Sequence, residues 1–288
     1  MSKVVIMADS NSGITQEDAK SRGIEVIPMP FLVDEKEYFE GVNLTQEQFY
    51  DMLARGADVS TSQPAPGALM DRWHSLLKQY DEIVYIPMSS GLSQSYQSAQ
   101  LFAADFDGRV HVVDNHRISV TQKQAVYRAK KLADQGLSGA EIKAALLKEA
   151  FDSTIYITVD DLQYLKKGGR LTPAVAAIGT LLNLKPVLKI LGYKLDVHTK
   201  TRGMKAARKA MIKAALADAE GALAPLVREN RLQVCIAYTQ APKEVIDSWV
   251  AEVQEAFPGK RILVDPLTLS ISCHIGPGAL AIALCETE

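Results

Sequence analysis

Apolar and polar positions follow one pattern in the first half of the chain and another in the second half. In the first half, short apolar runs typical of buried strands are separated by stretches with helical periodicity. The predicted strands are Lys3–Ala8, Glu25–Val33, Ile83–Met88 and Val110–Asp114. The predicted helices are Thr15–Gly23, Gln46–Ala54, Ala65–Gln79, Gln94–Phe106 and Ser119–Gln135. Strands separated by helices favour parallel pairing, so residues 1–152 are predicted to form a three-layer α/β/α domain with a parallel sheet.

Two local signals refine this first domain. The run Glu25–Val33 contains Pro28 and Pro30, and a strand with prolines is expected at the edge of a sheet. Thr45 and Gln48 have the spacing of a capping box, which predicts the start of the helix Gln46–Ala54.

In the second half, strands outnumber the clear helices. The predicted strands are Thr154–Val159, Pro186–Ile190, Lys194–Thr199, Gln233–Tyr238, Arg261–Asp265 and Ala279–Ala283. Two of them are joined by a short turn with Gly192, which is a hairpin signal and indicates a mixed sheet. The clearest helices are Met204–Leu216 and Lys243–Ala256. Residues 153–288 are therefore predicted to form a two-layer α/β domain with a mixed sheet of about six strands.

Composition removes several classes of protein. The chain has 288 residues, 47% of them hydrophobic, and a net charge of −2, so it lacks the basic footprint of a nucleic-acid binder. The apolar stretch Leu171–Leu191 carries Lys185 and Lys189, so no integral membrane segment is expected. The apolar run Val4–Ala8 is too short for a signal peptide. Three cysteines without paired or metal-ligand spacing are typical of a cytoplasmic protein with reduced thiols.

Three segments carry the candidate chemistry. Residues 89–98 read SSGLSQSYQS, and Gly91 is expected to allow a turn that other residues take only at a cost. Ser93 is expected to cap the next helix, where hydroxyl and N–H groups favour an anion. Residues 60–66 read STSQPAP, a second cluster of hydroxyl groups. Residues 272–278 read SCHIGPG, which places His274 just before a Gly-Pro-Gly turn.

Two other interpretations of these residues stay open. Gly168, Gly169 and Arg170 in LKKGGRLT could bind phosphate in a nucleotide or phosphosugar binder, although the segment is not a P-loop. Ser93 and His274 could serve a serine hydrolase, but GLSQS lacks the second glycine of the nucleophile elbow.

Seven short motifs, taken in order, resemble the DegV family. They are ADSNSG, TSQPAP, SSGLSQSYQSA, LQYLKKGGRL, KPVL, TRG and HIGPGAL, and the resemblance runs from Val4 to Ala283. It implies a bacterial, cytoplasmic fatty-acid-binding protein of two α/β domains that is not itself an enzyme. Such a protein binds one long-chain fatty acid with its tail buried. It presents the carboxylate to a separate fatty acid kinase, which makes an acyl-phosphate for phospholipid synthesis.

The resemblance also assigns roles to single residues. Thr61, Ser93 and His274 match the positions expected at the carboxylate, and we expect their three loops to converge between the two domains. Arg202 of the TRG motif matches a surface arginine expected to help dock the kinase. The loops are expected to be supported by Ser62, Gly91 and Gly276. Apart from the fatty acid itself, neither a cofactor nor a metal ion is expected.

Some features bear on the shape of the cavity. Many relatives have glycine where Gln94 stands, and many have a glycine-rich stretch where residues 116–122 read HRISVTQ. The apolar run Ala174–Leu184 could form a tunnel wall or lid, or be ordinary core. Hydroxyl and N–H groups alone would hold a carboxylate without a fixed positive charge and leave it a usable nucleophile.

Overall fold

The computed structural model of the chain describes residues 2–176 and 184–287. The strands of the first half are β1 Val4–Asp9, β2 Ile24–Ile27, β3 Pro30–Val33, β4 Lys36–Phe39, β5 Val59–Thr61, β6 Glu82–Ile86 and β7 Val110–Val112. The helices there are α1 Gln16–Arg22, α2 Gln46–Ala54, α3 Pro66–Leu76, α4 Ser95–Ala103, α5 Ser119–Asp134 and α6 Gly139–Lys148. Two single 3-10 turns are Ser10–Ser12 and Ala104–Phe106.

Four of these strands form a parallel sheet in the order β2-β1-β6-β7. One face packs against α1, α5 and α6 through a core that contains Ile6 and Val126. The other face packs against α3 and α4 around Trp73 and Tyr85. Helices on both faces confirm the predicted three-layer α/β/α architecture.

The second half has six strands and six helices within its described residues. The strands are β8 Ser153–Thr158, β9 Leu184–Ile190, β10 Asp196–Arg202, β11 Leu232–Tyr238, β12 Ile262–Pro266 and β13 Leu280–Glu286. The helices are α7 Leu162–Gly168, α8 Pro173–Ala176, α9 Met204–Glu220, α10 Ala224–Arg228, α11 Lys243–Ala256 and α12 Leu269–Ile275.

The six strands form one mixed sheet in the order β10-β9-β8-β13-β11-β12. Only β11 and β12 pair in parallel, and the other neighbours are antiparallel. The hairpin of β9 and β10 turns at Gly192, as its sequence predicts. The mixed six-stranded sheet of the prediction is confirmed.

The two faces of this sheet have different neighbours. Side chains alternate along each strand, so Leu280 and Ile282 of β13 face α9 and α11 in a core with the fully buried Trp249. Ala281 and Ala283 point to the opposite face. That face is covered by α7, α12 and parts of the first half of the chain, and the cavity described below lies there.

The prediction of a single strand over Glu25–Val33 is wrong. The chain forms β2 at the edge of the parallel sheet, passes Pro28, and starts β3 at Pro30. β3 is the centre of a three-stranded antiparallel sheet with β4 and β5, which the sequence pattern did not reveal. This small sheet packs against α12 and carries Thr61 at the end of β5.

The predicted boundary at residues 152 and 153 falls just before β8, and the division into 1–152 and 153–288 stays a prediction. Contacts cross it in several places. Helix α5 packs on β11 and β13, and Lys123 of α5 forms an ion pair of 3.0 Å with Asp265 of β12. Among the helices of residues 2–176 and 184–287, none has the length and apolar character needed to cross a membrane.

Candidate functional site

A cavity of about 540 Å³ lies on the inner face of the mixed sheet, a size within the usual range for small-molecule sites. Strands β8, β9, β11 and β13 form its floor, and one face of α12 forms a wall. The loop after β6 and the start of α5 close the opposite side. The lining is mostly apolar and includes Ile118, Ile155, Ile157, Leu165, Leu267 and Ile275.

The three side chains predicted at a carboxylate all line this one cavity. Thr61 Oγ1 and His274 Nε2 lie 2.9 Å apart, and Ser93 lines the cavity from the loop between β6 and α4. The prediction that all three lie in loops is wrong for His274, which lies in the last turn of α12, and Thr61 ends β5. Helix α12 was not predicted, because it has seven residues and too few apolar positions for a helical periodicity to be recognised.

The serine-rich loop is held by a buried carboxylate. Asp9, at the end of β1, accepts hydrogen bonds from the backbone N–H of Met88 at 2.8 Å and from Gln122 of α5 at 3.2 Å. Ser93 Oγ accepts from the backbone N–H of Ser95 at 3.1 Å and lies 2.8 Å from its hydroxyl. The N-cap residue of α4 is Gln94, which makes no capping hydrogen bond, so the prediction that Ser93 caps this helix is wrong; Ser93 makes a local bond to Ser95 just before it and lines the cavity.

Gly91 is essential for close packing rather than for an unusual turn. Its backbone does not have the positive φ that the sequence argument assumed. A Cβ at this position would lie 2.5 Å from Tyr193 Cα and 2.6 Å from the Gly192 carbonyl oxygen. The loop that carries Ser93 is therefore pressed against the β9–β10 hairpin, and Ser89 Oγ donates a hydrogen bond to the same Gly192 oxygen.

The Gly-Gly-Arg segment borders the same cavity, although it was considered for phosphate. A Cβ on Gly168 would lie 2.5 Å from His274 Nδ1, so this glycine makes room for the imidazole. Arg170 lines the cavity and donates to the Leu92 carbonyl oxygen at 3.4 Å and to that of Gly168. The sequence argument, which considered only hydroxyl and N–H groups, did not anticipate the positive charges of Arg170 and Lys194 in the cavity lining.

Helix α12 is fixed at both ends. Glu40 accepts a hydrogen bond from the backbone N–H of Leu269 at 2.7 Å, and Tyr50 donates to Ser272 Oγ at 2.9 Å. Gly276 ends the helix with φ of 67°, and a Cβ there would lie 2.4 Å from the ring of Tyr164. These contacts fix the position of His274, and they explain the predicted supporting role of Gly276.

The remaining predicted positions are accounted for as follows. Ser62 and Gln94 line the cavity, as do Ile118 to Val120 in the segment where relatives have glycines. Arg202, at the end of β10, is exposed and outside the cavity lining. Of the apolar run Ala174–Leu184, residues 177–183 lie outside the described residues.

Burial changes the protonation of two groups at the site. Burial, followed by the nearby charge of Arg170, lowers the pKa of His274 to about 4, so its imidazole is neutral at pH 7. Burial raises the pKa of Asp9 to about 6 against the effect of its hydrogen bonds. His274 therefore contributes a neutral ring nitrogen, and the positive charges of the lining are those of Arg170 and Lys194.

His274 should make the protein less stable as the pH falls. The unfolded chain binds a proton at His274 below pH 6.5 and the folded chain only near pH 4, so stability is lost across that window. Between pH 7 and pH 5, wild type should lose about 2 kcal/mol relative to His274→Gln. Urea unfolding of both proteins at the two pH values measures this, and the contribution of Asp9 cancels in the comparison. A difference independent of pH would contradict the lowered pKa.

The geometry also bears on the two alternatives. Within the described residues no hydrogen bond joins Ser93 to His274, as a serine nucleophile and its base require, because His274 Nε2 contacts Thr61 instead. The close approach of Gly168 to His274 gives that glycine a packing role, which accounts for a glycine at this position without a phosphate. No group of three metal-ligating side chains occurs in residues 2–176 and 184–287.

The fold and site define an α/β protein with a largely apolar cavity whose lining includes two cationic side chains, Arg170 and Lys194, and several neutral polar groups. The family model described as "Uncharacterised protein, DegV family" matches residues 3–287. The chain belongs to the DegV family. A DegV domain-containing protein of Deinococcus radiodurans is 30% identical over 98% of both chains. Another, from Caldanaerobacter subterraneus subsp. tengcongensis, is 34% identical over 72% of this chain and 74% of its own length.

Solved structures of the family are also similar. A DegV family protein from Thermus thermophilus, described for its fatty acid binding, superposes with a TM-score of 0.87 at 30% identity and 99% coverage of both chains. DegV from Bacillus subtilis, described as a fatty acid binding protein, has a TM-score of 0.86 at 26% identity and covers 100% of both chains.

Proposed function

We propose that this chain binds one long-chain fatty acid, with its tail in the apolar cavity and its carboxylate at Thr61, Ser93 and His274. The observation that carries the proposal is the single cavity that joins these three side chains to an apolar floor. The fatty acid binding described for the relatives from Thermus thermophilus and Bacillus subtilis supports it. The protein is then a carrier of the fatty acid, and this role needs no cofactor or metal ion.

Tail and head contribute differently to binding. At ~0.8 kcal/mol for each buried CH₂, about 14 methylenes contribute about 11 kcal/mol before the costs of binding. Hydrogen bonds to the head add only ~1–3 kcal/mol each, the larger values applying to charged groups. The tail therefore supplies the affinity, while the hydroxyls and the charge of Arg170 determine which end of the ligand faces the kinase.

We further propose that the bound carboxylate is the substrate of a separate fatty acid kinase. A carboxylate oxygen would attack the γ-phosphorus of ATP, the bond to the bridging oxygen would break, and ADP would leave. The product is an acyl-phosphate, a mixed anhydride activated for phospholipid synthesis. The reaction belongs in the cytoplasm, and the three cysteines of this chain, all free and buried, suit that reducing compartment.

Charge supports a docking surface around Arg202. Residues 185–217 contain nine lysine or arginine residues and one acidic residue, whereas the whole chain has a net charge of −2. Arg202 and Lys200 are exposed at the end of β10, and Lys205, Lys209 and Lys213 are exposed on α9 just beyond it. Such a surface is complementary to an acidic face of a kinase and would speed association.

Arg202→Ala should separate binding of the acid from its phosphorylation. Titration with a fluorescent C16 acid should show one saturable site whose Kd changes less than 2-fold, because Arg202 lies outside the cavity lining. Turnover by the kinase at limiting carrier should fall about 10-fold at low salt and less at high salt. Arg228→Ala, at an exposed arginine of α10, is the matched control and should change neither. Equal losses of both activities would show that Arg202 is structural instead.

A further inference from the structure

The side chains on the floor of the cavity become smaller from β8 towards β11. Across neighbouring strands, Ile157 of β8 lies opposite Ala281 of β13, which in turn lies opposite Ala237 of β11. All three side chains line the cavity. The floor therefore changes from a branched side chain on β8 to alanine on the next two strands.

Arg170 and the loop that carries Ser93 lie on the β9–β10 side of this floor. The backbone of Arg170 accepts a hydrogen bond from Leu195, in the turn between β9 and β10, and its side chain reaches the Leu92 carbonyl oxygen next to Ser93. β9 and β11 are separated by β8 and β13, so Ala237 is three strand spacings away, about 14 Å. If the head group binds beside Arg170 and the tail crosses the floor, only the last methylenes of the tail contact Ala237.

The apolar floor ends directly beyond Ala237. Its neighbour on β12 is Asp265, whose carboxylate pairs with Lys123 of α5 at 3.0 Å. The two side chains of the pair are largely buried, with 29% and 13% exposed. A methyl group that displaced this ion pair would leave a charge without its partner, which is costly. Leu267 lines the cavity next to β11, because its backbone N–H bonds to Tyr238 at 2.7 Å.

We propose that Ala237 sets the length limit of the acyl chain, with Leu267 and the Lys123–Asp265 pair behind it. This inference rests on the proposed function. Because the ligand head is fixed at the other side, a larger side chain at residue 237 removes room from the last methylenes only. The effect of a substitution there should therefore depend on chain length, unlike a change at the head group.

The test is a set of Kd values for saturated C12, C14, C16, C18 and C20 acids. Ala237→Val adds two carbon atoms, suits a strand, and should weaken C18 and C20 about 10-fold relative to C12. Leu267→Ala should shift the preference the other way, strengthening C20 several-fold relative to C14. Ala215→Val, at a fully buried alanine of α9 on the opposite face of the sheet, is the matched control and should leave the length profile unchanged.

The outcomes are distinguishable. Opposite shifts in Ala237→Val and Leu267→Ala support the inference, and Leu267→Ala tests the same end of the cavity if Ala237→Val does not fold. An equal loss for C12 and C20 in Ala237→Val, or an unchanged profile in both variants, would overturn the inference and leave the carrier intact. If wild type bound none of the acids, the proposed function itself would fail.

Discussion

Gly91→Ala is expected to lower both the stability of the protein and its affinity for a fatty acid. The added Cβ would lie within 2.6 Å of two backbone atoms of the β9–β10 hairpin, so neither side can yield by a rotamer change. Crowding of this kind costs ~1–3 kcal/mol of folding free energy. The loop must also move away from the hairpin, which displaces Ser93 and should weaken binding at least 10-fold. Urea unfolding and titration with a fluorescent C16 acid measure the two effects.

Gly67→Ala is the matched control for this substitution. Gly67 lies in the first turn of α3, and a Cβ there meets no atom within 4 Å. Alanine is the better helix former by up to ~1 kcal/mol, so this variant should be slightly more stable and bind normally. If Gly91→Ala were as stable and bound the acid as well as Gly67→Ala, the claim that the Ser93 loop packs closely against the hairpin would be contradicted.

Ser93→Ala should affect phosphorylation far more than binding. The tail supplies most of the affinity, so the loss of one hydroxyl should raise the Kd of a C16 acid no more than about 10-fold. The carboxylate would then lack a contact that orients it, and a nucleophile misplaced by about 1 Å can lose about 100-fold in rate. Acyl-phosphate formation with kinase and ATP should therefore fall about 100-fold at saturating acid. Thr61→Ala should behave in the same way, since Thr61 contacts His274 at the same place.

The control is Ser98→Ala, a serine further along the same helix α4 that begins after Ser93. It should retain both binding and phosphorylation. The hydrolase interpretation would be favoured if wild type cleaved an ester without any kinase and Ser93→Ala did not. If Ser93→Ala, Thr61→Ala and His274→Gln all left both assays unchanged, the carboxylate would have to bind elsewhere.

Much of the fold could be predicted because its signals are local. The alternation of apolar strands and amphipathic helices in the first half identified the parallel sheet, and Gly192 identified the β9–β10 hairpin. The three-stranded sheet of β3, β4 and β5 could not be predicted, because its strands have three or four residues each and β5 pairs with β3 across α2. Pro28 was interpreted as part of an edge strand when it separates two strands of different sheets.

The site was predictable in part. Thr61, Ser93 and His274 were assigned by resemblance, and the cavity brings them together, but no local pattern shows that Arg170 points to the same place. The signal for Arg170 was present in the adjacent glycines, for which phosphate binding was considered as an alternative. Gly168 is needed because His274 approaches it from a helix more than 100 residues later in the chain. Contacts of that kind depend on tertiary packing and leave no spacing to recognise.

The most direct test of the central claim is the cargo of the protein itself. The account predicts that protein purified from a bacterial host, extracted with organic solvent and analysed by mass spectrometry, carries about one long-chain fatty acid per chain. Delipidated protein should take up one equivalent of a C14–C20 acid. A co-purified nucleotide would favour the phosphate-binding alternative. Protein that emerges empty and shows no saturable binding of any of these acids would contradict the account.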